Sequence, residues 1–326
     1  TMMKNILITG GAGFIGSNFL RLILRERPNY RIINLDKLTY AGNLSSISDL
    51  ADNPNHEFIQ GDIADYDLVE SIMLKGVDAI INFAAESHVD RSIEDPEVFI
   101  RSNINGVHNL LEAARRHGVK KFLQISTDEV YGDLGDTGFF TEETPIEPSS
   151  PYSSSKAAAD LLVQAWHRTF GLNTNITRCS NNYGPYQFPE KLIPVLCSKA
   201  LANQPIPIYG DGSNIRDWIH VEDHNWAVLD VLEKGVSGRV YNIGSNNEQS
   251  NLELAKMLLR ILGKPESLLT FVKDRPGHDW RYAIDSSRIQ TELGWRPRYP
   301  LEMGLKQTIE WYQENQDWWK EILERT

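Results

Sequence analysis

Hydrophobic residues in the first half of the chain gather in short, almost unbroken runs: Asn5–Thr9, Arg31–Leu35, Glu57–Gln60, Ala79–Phe83, Phe122–Ser126 and Asn175–Arg178. Short runs that do not alternate with polar residues read as strands covered on both faces. Between several of them lie amphipathic stretches, Phe14–Arg27 and Val98–His117 among them, that predict helices. Alternating strands and helices predict βαβ units and a parallel sheet. Right-handed crossovers then make the sheet doubly wound, an α/β class.

The pattern changes after about Asn181. Pro and Gly recur in N-Y-G-P-Y, Q-P-I-P-I-Y-G-D-G and K-D-R-P-G-H, joined by shorter helical patterns near Pro189–Ala202 and Asn251–Leu262. Residues 1–180 are therefore expected to form the sheet domain, with a return segment near 221–243 whose Val221–Leu232 stretch packs back on it. Residues 181–326 are expected to form a smaller, mostly C-terminal lobe. The aromatic-rich end, E-W-Y-Q-E-N-Q-D-W-W-K, predicts a terminal helix packed on its own lobe.

Composition narrows the class. A chain of 326 residues, 41% hydrophobic and 24% charged, has material for a substantial core and a companion lobe. The formal charge of −11 argues against a nucleic-acid binder. It leaves room for a diphosphate ligand, which local arginines and backbone amides can hold. Cys179 and Cys197 are too few for a disulfide framework and read as buried small hydrophobes in a reducing compartment. No apolar run approaches the roughly 20 residues that span a bilayer. T-M-M-K-N passes straight into a strand with no secretory pattern, so a cytoplasmic location is expected. His88 and His278 stand at no metal-ligand spacing, and no metal is expected.

I-L-I-T-G-G-A-G-F-I-G places Gly10, Gly13 and Gly16 three residues apart, after a strand and opening a helix. The first glycine permits a tight turn, the second lets the backbone approach a pyrophosphate, and the third lets helix and strand pack closely. Helix-start amides and the helix dipole then favour phosphate. This is the Rossmann dinucleotide-binding pattern. Asp36 ends the second strand, where a carboxylate accepts ribose hydroxyls and repels a 2′-phosphate, favouring NAD over NADP. Lys37 beside it pulls the other way. Asp62, after the third strand, is a candidate partner for the adenine amino group.

S-P-Y-S-S-S-K sets Tyr152 and Lys156 four apart, on one helix face, with Pro151 in the first turn and Ser149 or Ser150 as the cap. A free phenol titrates near ~10 and is a poor base. A neighbouring ammonium and a cationic nicotinamide both favour the phenolate, making Tyr152 an acceptor for a sugar hydroxyl proton. I-S-T-D-E-V-Y-G ends the fifth strand at the sheet's carboxyl edge, where ligands of such sheets bind. Ser126 or Thr127 there can hydrogen-bond the reacting oxygen. Hydride transfer needs no carboxylate, so Asp128 and Glu129 point to a second reaction that moves a proton off carbon and another onto a leaving oxygen. A nucleotide-sugar 4-epimerase, which needs no such acids, and a non-catalytic NAD-binding protein are the rival readings.

T-G-G-A-G-F-I-G, N-F-A-A-E-S-H-V-D-R-S-I, S-T-D-E-V-Y-G, P-Y-S-S-S-K-A, R-C-S-N-N-Y-G-P, F-P-E-K-L-I-P, P-I-Y-G-D-G, R-D-W-I-H-V-E-D-H and D-R-P-G-H-D-W-R-Y follow in that order. With them the chain resembles the extended short-chain dehydrogenase/reductase family and, within it, the dTDP-glucose 4,6-dehydratases. The resemblance implies a lyase with tightly bound NAD that converts dTDP-glucose to dTDP-4-keto-6-deoxyglucose, working as a homodimer. Candidate dimer helices lie near Val98–His117 and Pro151–Phe170. It gives Tyr152 the role of redox base, with Lys156 supporting it and Thr127 holding the sugar O4. Asp128 would protonate the departing 6-hydroxyl and Glu129 would remove and return the C5 proton.

The same resemblance sets Phe14, Ile15, Asp36, Lys37, Leu38, Thr39, Asp62 and Ile63 along NAD. Phe83, Ala84, Ala85, Ser87, Ser102 and Asn182 continue that contact. Ser87, Thr127, Asn181, Lys191, Leu192, Pro207, Ile208 and Tyr209 fall where the family holds the nucleotide sugar, as do Arg216, Asn251, Asp274, Arg275 and His278. Arg216 and Arg275 are fork-shaped donors suited to a diphosphate and are read as loop residues. The segment Gly132–Phe140 is shorter than in many relatives, so contacts made by a longer loop are expected to be missing.

Overall fold

β1 (Asn5–Thr9), β2 (Arg31–Asp36), β3 (His56–Gln60), β4 (Ala79–Asn82), β5 (Lys121–Thr127) and β6 (Thr174–Cys179) share one sheet, in a computed structural model that describes residues 3–39, 42–85 and 93–325. After β7 (Asn181–Tyr183), β8 (Ile206–Tyr209) and β9 (Ile215–His220), the chain returns to this sheet with β10 (Val240–Ile243). The order is β3-β2-β1-β4-β5-β6-β10, and every pairing is parallel. The order reverses between β1 and β4, the switch point at which carboxyl ends open a crevice.

The pleat sorts the core. Ile6 and Ile8 of β1 face one cluster with Phe19, Leu20 and Ile23 of α1 (Phe14–Glu26), while Leu7 faces the other. That second layer holds α2 (Tyr66–Met73), α3 (Pro96–Ile100), α4 (Gly106–Arg116) and α5 (Pro151–Phe170). The expected helix Val98–His117 is not one α-helix. Arg101–Asn105 forms a π turn between α3 and α4. The wide turn carries Asn103 inward, where its amide donates to Ser155 Oγ at 3.0 Å. Hydrophobic spacing does not report such a change of pitch.

The lobe adds α6 (Leu192–Leu201), α7 (Val221–Lys234), β11 (Glu248–Ser250), α8 (Asn251–Leu262), β12 (Leu269–Val272), α9 (Ser287–Leu293), α10 (Leu301–Glu314) and α11 (Gln316–Glu324). Of these, α7 crosses back to pack on α1, adding Ala227, Val228 and Val231 to its core. Leu196, Leu254, Leu258, Leu305 and Ile309 from α6, α8 and α10 build a separate lobe core around β9 and β8. The terminal aromatics pack on their own chain, with Trp311 and Trp318 against Tyr186 and Trp319 buried. The short Gly132–Phe140 segment clasps the lobe. Asp133 accepts from the amides of Trp280 and Arg281, and Phe140 bridges Ile284. Among the described residues no helix is long and apolar enough to cross a membrane.

Close approach of α1 to β1 depends on Gly16, where a Cβ would collide with the Gly10 carbonyl oxygen and Gly11 Cα. Alanine is the better helix former by about 1 kcal/mol. Gly16→Ala is nevertheless expected to destabilise the protein by about 1–3 kcal/mol, the usual overpacking range. A denaturant midpoint at or above the parent's would show that α1 can move away freely.

Candidate active site

At the switch point, Gly10 takes the left-handed φ of +74°, and a Cβ there would come within 2.6 Å of the Ala84 amide nitrogen. Gly13 is the N-cap of α1 and offers no side-chain cap, so the first-turn amides of Phe14 and Ile15 are not closed off by one. Asp36, buried at the end of β2, accepts from the Ala12 and Leu38 amides, both at 2.8 Å. Leu38 sits at φ +57° beside it, with Thr39 exposed. Asp62 accepts from the Ala64 amide and pairs with Lys37 at 3.3 Å and Arg101 at 3.4 Å. Burial raises the Asp62 carboxyl, but that amide and the two cations outweigh it and hold the group below its usual range. Lys37 is thus drawn to a carboxylate.

Phe83, Ala84 and Ala85 follow β4 along the same crevice, with Phe83 against Phe19 at 5.2 Å. Ser102 lies half-buried on the π turn, and Ile63 is buried against Gly106 of α4. Asn182 on β7 is buried with its side-chain oxygen unpartnered. Ser87 and His88 lie outside the described residues. A pyrophosphate, a ribose diol and an adenine all find suitable groups on this edge, so the residues present fit a dinucleotide.

β5 delivers the reactive turn. Ser126 Oγ donates to Asp160 of α5 at 2.9 Å, while Thr127 Oγ1 accepts from the Glu129 amide at 3.1 Å. The Thr127 hydroxyl proton therefore stays available to a ligand oxygen. A 3-10 turn, Asp128–Tyr131, follows. Asp128 is 1% exposed, with Oδ2 unpartnered, and Glu129 is half-buried. Burial pushes the Asp128 carboxyl well above its ordinary range; Glu129 and Asp217 push the same way and Arg216 opposes them. Burial raises Glu129 too, but Lys191, Arg216 and Arg275 pull it back against Asp279. The turn thus contains one carboxyl that strongly favours its proton and one that the lobe's cations keep closer to ionisation.

Tyr152 and Lys156 share the first turns of α5, which Ser150 caps in a reciprocal box with Ser153. Burial drives the Tyr152 phenol well above its ordinary value, and Glu129, Cys179, Asp128 and Asp160 drive it further. Lys156, one turn further along, is tied to β5. Its ammonium donates to the Ile125 carbonyl at 3.0 Å, and burial lowers it, with Asp160 and Cys179 opposing. Burial is the largest cause at the phenol, since a phenolate kept from water and beside carboxyls is costly. The same interactions show that the phenol and both acids occupy one site.

The lobe closes it. Arg216 is not a loop residue: it lies on β9, buried, with its guanidinium donating to the Asp279 carbonyl at 3.0 Å and stacked on Tyr282. I-R-D-W-I-H carries no regular alternation of polar and apolar residues, and its strand forms where it pairs with β7 and β11. Arg275 does lie in a loop, 4.9 Å over the Tyr209 ring, beside Asp274 and His278, which pair with each other. Pro207 and Tyr209 alternate with Ile208, which is packed in the lobe core and can offer a ligand only its backbone. Lys191 caps α6, Leu192 begins it, Asn251 begins α8, and Asn181 begins β7 half-buried. Asp160, Arg178, Asp217 and Asp279 were not anticipated. Asp160 carried a readable signal, falling one turn beyond Lys156 on the same face. Cys179 and Cys197 are buried free thiols.

Asp128→Asn removes an ionisable group from a place that resists its charge. A carboxyl raised in the fold weakens stability above its unfolded value and is without that penalty below it. The variant is therefore expected to gain about 0.5–2 kcal/mol at neutral pH, and to lose that advantage near pH 3–4. Melting curves at the two pH values check this; equal curves at neutral pH would mean Asp128 is not held uncharged.

Comparison with known proteins agrees with this geometry. The chain is 51% identical to a dTDP-glucose 4,6-dehydratase of Xanthomonas campestris pv. campestris (strain B100), over 99% of this chain and 97% of that one. The crystal structure of a dTDP-glucose 4,6-dehydratase from Bacillus anthracis str. Ames in complex with NAD superposes with a TM-score of 0.93 at 48% identity, covering 98% of this chain and 99% of that one. A UDP-glucose 4-epimerase from Thermotoga maritima, crystallised with UDP-glucose, follows at 0.90 and 30% identity, covering 96% and 99%. The family model for GDP-mannose 4,6 dehydratase matches residues 7–308, and with relatives half-identical from end to end, the chain belongs to that dehydratase family, within the short-chain dehydrogenase/reductase fold.

Proposed function

We propose that the chain is a hydro-lyase that removes water from dTDP-glucose to give dTDP-4-keto-6-deoxyglucose. One observation carries the reading: two consecutive acids, Asp128 and Glu129, stand in the turn that ends β5 and bear on the buried phenol of Tyr152. An epimerase needs the phenol alone. NAD, held along Gly10–Gly16, Asp36 and Asp62, supplies a hydride acceptor for C4, a hydride donor for C6, and a positive ring that favours the phenolate. Lys37, drawn to Asp62, is turned from the role of 2′-phosphate ligand.

Tyr152 takes the proton of the 4-hydroxyl, and Thr127, with its hydroxyl proton free, donates to the same oxygen. Once C4 is a ketone, the C5 proton is acidic and Glu129 removes it. Asp128, which favours its protonated form, gives its proton to the departing 6-hydroxyl, and Glu129 then returns the proton to C5. Lys191, Arg216 and Arg275 meet the diphosphate as fork and point donors. On this reading residues 1–180, with the return segment near 221–243, hold the dinucleotide, and the lobe 181–326 holds the nucleotide sugar.

A homodimer in the cytoplasm completes the reading. It is supported by exposed Ile100 and Val98 on α3 and Leu161 and Phe170 on α5, and by two thiols left unpaired.

Incubated with dTDP-glucose, the NAD-loaded protein is expected to yield a product lighter by one water, with no net change in cofactor. Tyr152→Phe should slow the reaction by roughly 10²–10⁴. Asp128→Asn with Glu129→Gln should still reduce bound NAD but nearly stop water loss. A product of unchanged mass from the parent protein would favour epimerisation and overturn the proposal.

A further inference from the structure

Tyr152, Lys156 and Asp160 fall four residues apart along the buried face of α5, and Asp160 is that helix's only acid. Its carboxylate is fully buried, at 0% exposure. Oδ2 accepts from Ser126 Oγ at 2.9 Å and from Arg178 Nε of β6 at 3.0 Å. Oδ1 has no hydrogen-bond partner among the described residues. Arg178, itself buried, donates onward to Tyr131 OH at 3.2 Å, and Tyr131 OH donates to Asn242 Oδ1 of β10 at 2.7 Å. Ser126 is two residues before Asp128, and Tyr131 ends the turn that Asp128 begins. One buried ion pair thus grips the acid-bearing turn on both sides and anchors it to the helix that carries the phenol and the ammonium.

Stability alone does not account for such a pair. Replacing a buried ion pair with apolar side chains of similar volume is often neutral or stabilising, whereas breaking it by removing one partner is costly. What the pair supplies is alignment. Oxidation at C4 and elimination across C5 and C6 act on adjacent atoms of one bound sugar, so the phenol and the two carboxyls must keep a fixed spacing.

We infer that Asp160 and Arg178 are positioning residues, which set the Asp128–Glu129 turn against Tyr152 and Lys156 and keep an anion beside the lysine. The inference rests on the reaction proposed above. The groups that bear on Lys156 are Asp160 from its own helix and Cys179 from β6; those on Tyr152 are Glu129, Cys179, Asp128 and Asp160.

Two NAD-loaded variants test it beside the parent. Asp160→Leu with Arg178→Met removes the clamp and both charges. It is expected to melt near the parent, to keep KM for dTDP-glucose within about threefold, and to lose about 10²-fold in kcat, the usual penalty for a misplaced group. Asp160→Asn keeps an acceptor for Ser126 and Arg178 but removes the anion. Its first step is read from reduced nicotinamide formed with dTDP-6-deoxyglucose, which has no 6-hydroxyl to lose. Without the anion both the lysine and the phenol lose their protons more readily, so the pH optimum of that step should move down. Parental kcat in a folded double variant, or an unmoved pH optimum in Asp160→Asn, overturns the positioning role while leaving the functional reading intact. If the double variant melts well below the parent, the pH optimum of Asp160→Asn decides. A parent protein that forms no keto-deoxy product overturns the functional reading, and this inference with it.

Discussion

Two neighbouring carboxyl groups at the end of β5, Asp128 buried and Glu129 half-buried, constrain the rest of this molecule. Neighbouring buried acids repel each other and each resists ionisation. Burial raises both: at Asp128, Glu129 and Asp217 add to it and Arg216 opposes, while at Glu129 Lys191, Arg216 and Arg275 of the lobe oppose it against Asp279. The lobe therefore bears on the charge of both acids. Contacts such as Asp133 with the Trp280 and Arg281 amides hold it beside this turn.

Much of this could be read from the chain. Short apolar runs located β1, β2, β4 and β5 to within a residue or two, since a strand buried on both faces has no polar alternation to confuse it. Pro151, with Ser149 or Ser150 before it, gave the start of α5 because capping chemistry is local, and Ser150 is the cap. What was missed is non-local. The π turn at Arg101–Asn105 leaves the hydrophobic spacing of its helix intact, and the bond it brings about, from Asn103 to Ser155, spans distant sequence. V-Y-N-I of β10 is too short to announce itself, and it is a strand only because β6 offers an edge. The Tyr152–Lys156 spacing gave proximity but not sign. Whether a lysine makes a phenol acidic depends on burial and on every other charge nearby, and here burial is the largest cause of the phenol's upward shift.

The same scaffold serves an epimerase with only 30% identity and a nearly superposable backbone. Fold therefore does not separate the two reactions, and the separation must lie in side chains at the end of one strand. Oxidation at C4 asks of the side chains only a base and hydrogen-bond donors, with a dinucleotide as hydride acceptor. Elimination adds a demand for two more proton-transfer groups, and Asp128 and Glu129 are the acids that stand in the turn ending β5.

Strand geometry explains why those residues can do so. Successive side chains on β5 point to opposite faces. Ser126 is spent on Asp160 behind the sheet edge, and Thr127, next in line, is free to meet a ligand. Thr127 Oγ1 then caps the Glu129 amide and starts the 3-10 turn, so the backbone bends in place of continuing the alternation. The bend carries two consecutive acids toward one site, which an extended strand would send to opposite faces. Moving the turn by one residue would exchange the roles of Ser126 and Thr127 and send Asp128 toward the helix layer. The chemistry thus depends on where β5 stops, and Thr127 determines that stop by a hydrogen bond to its own chain.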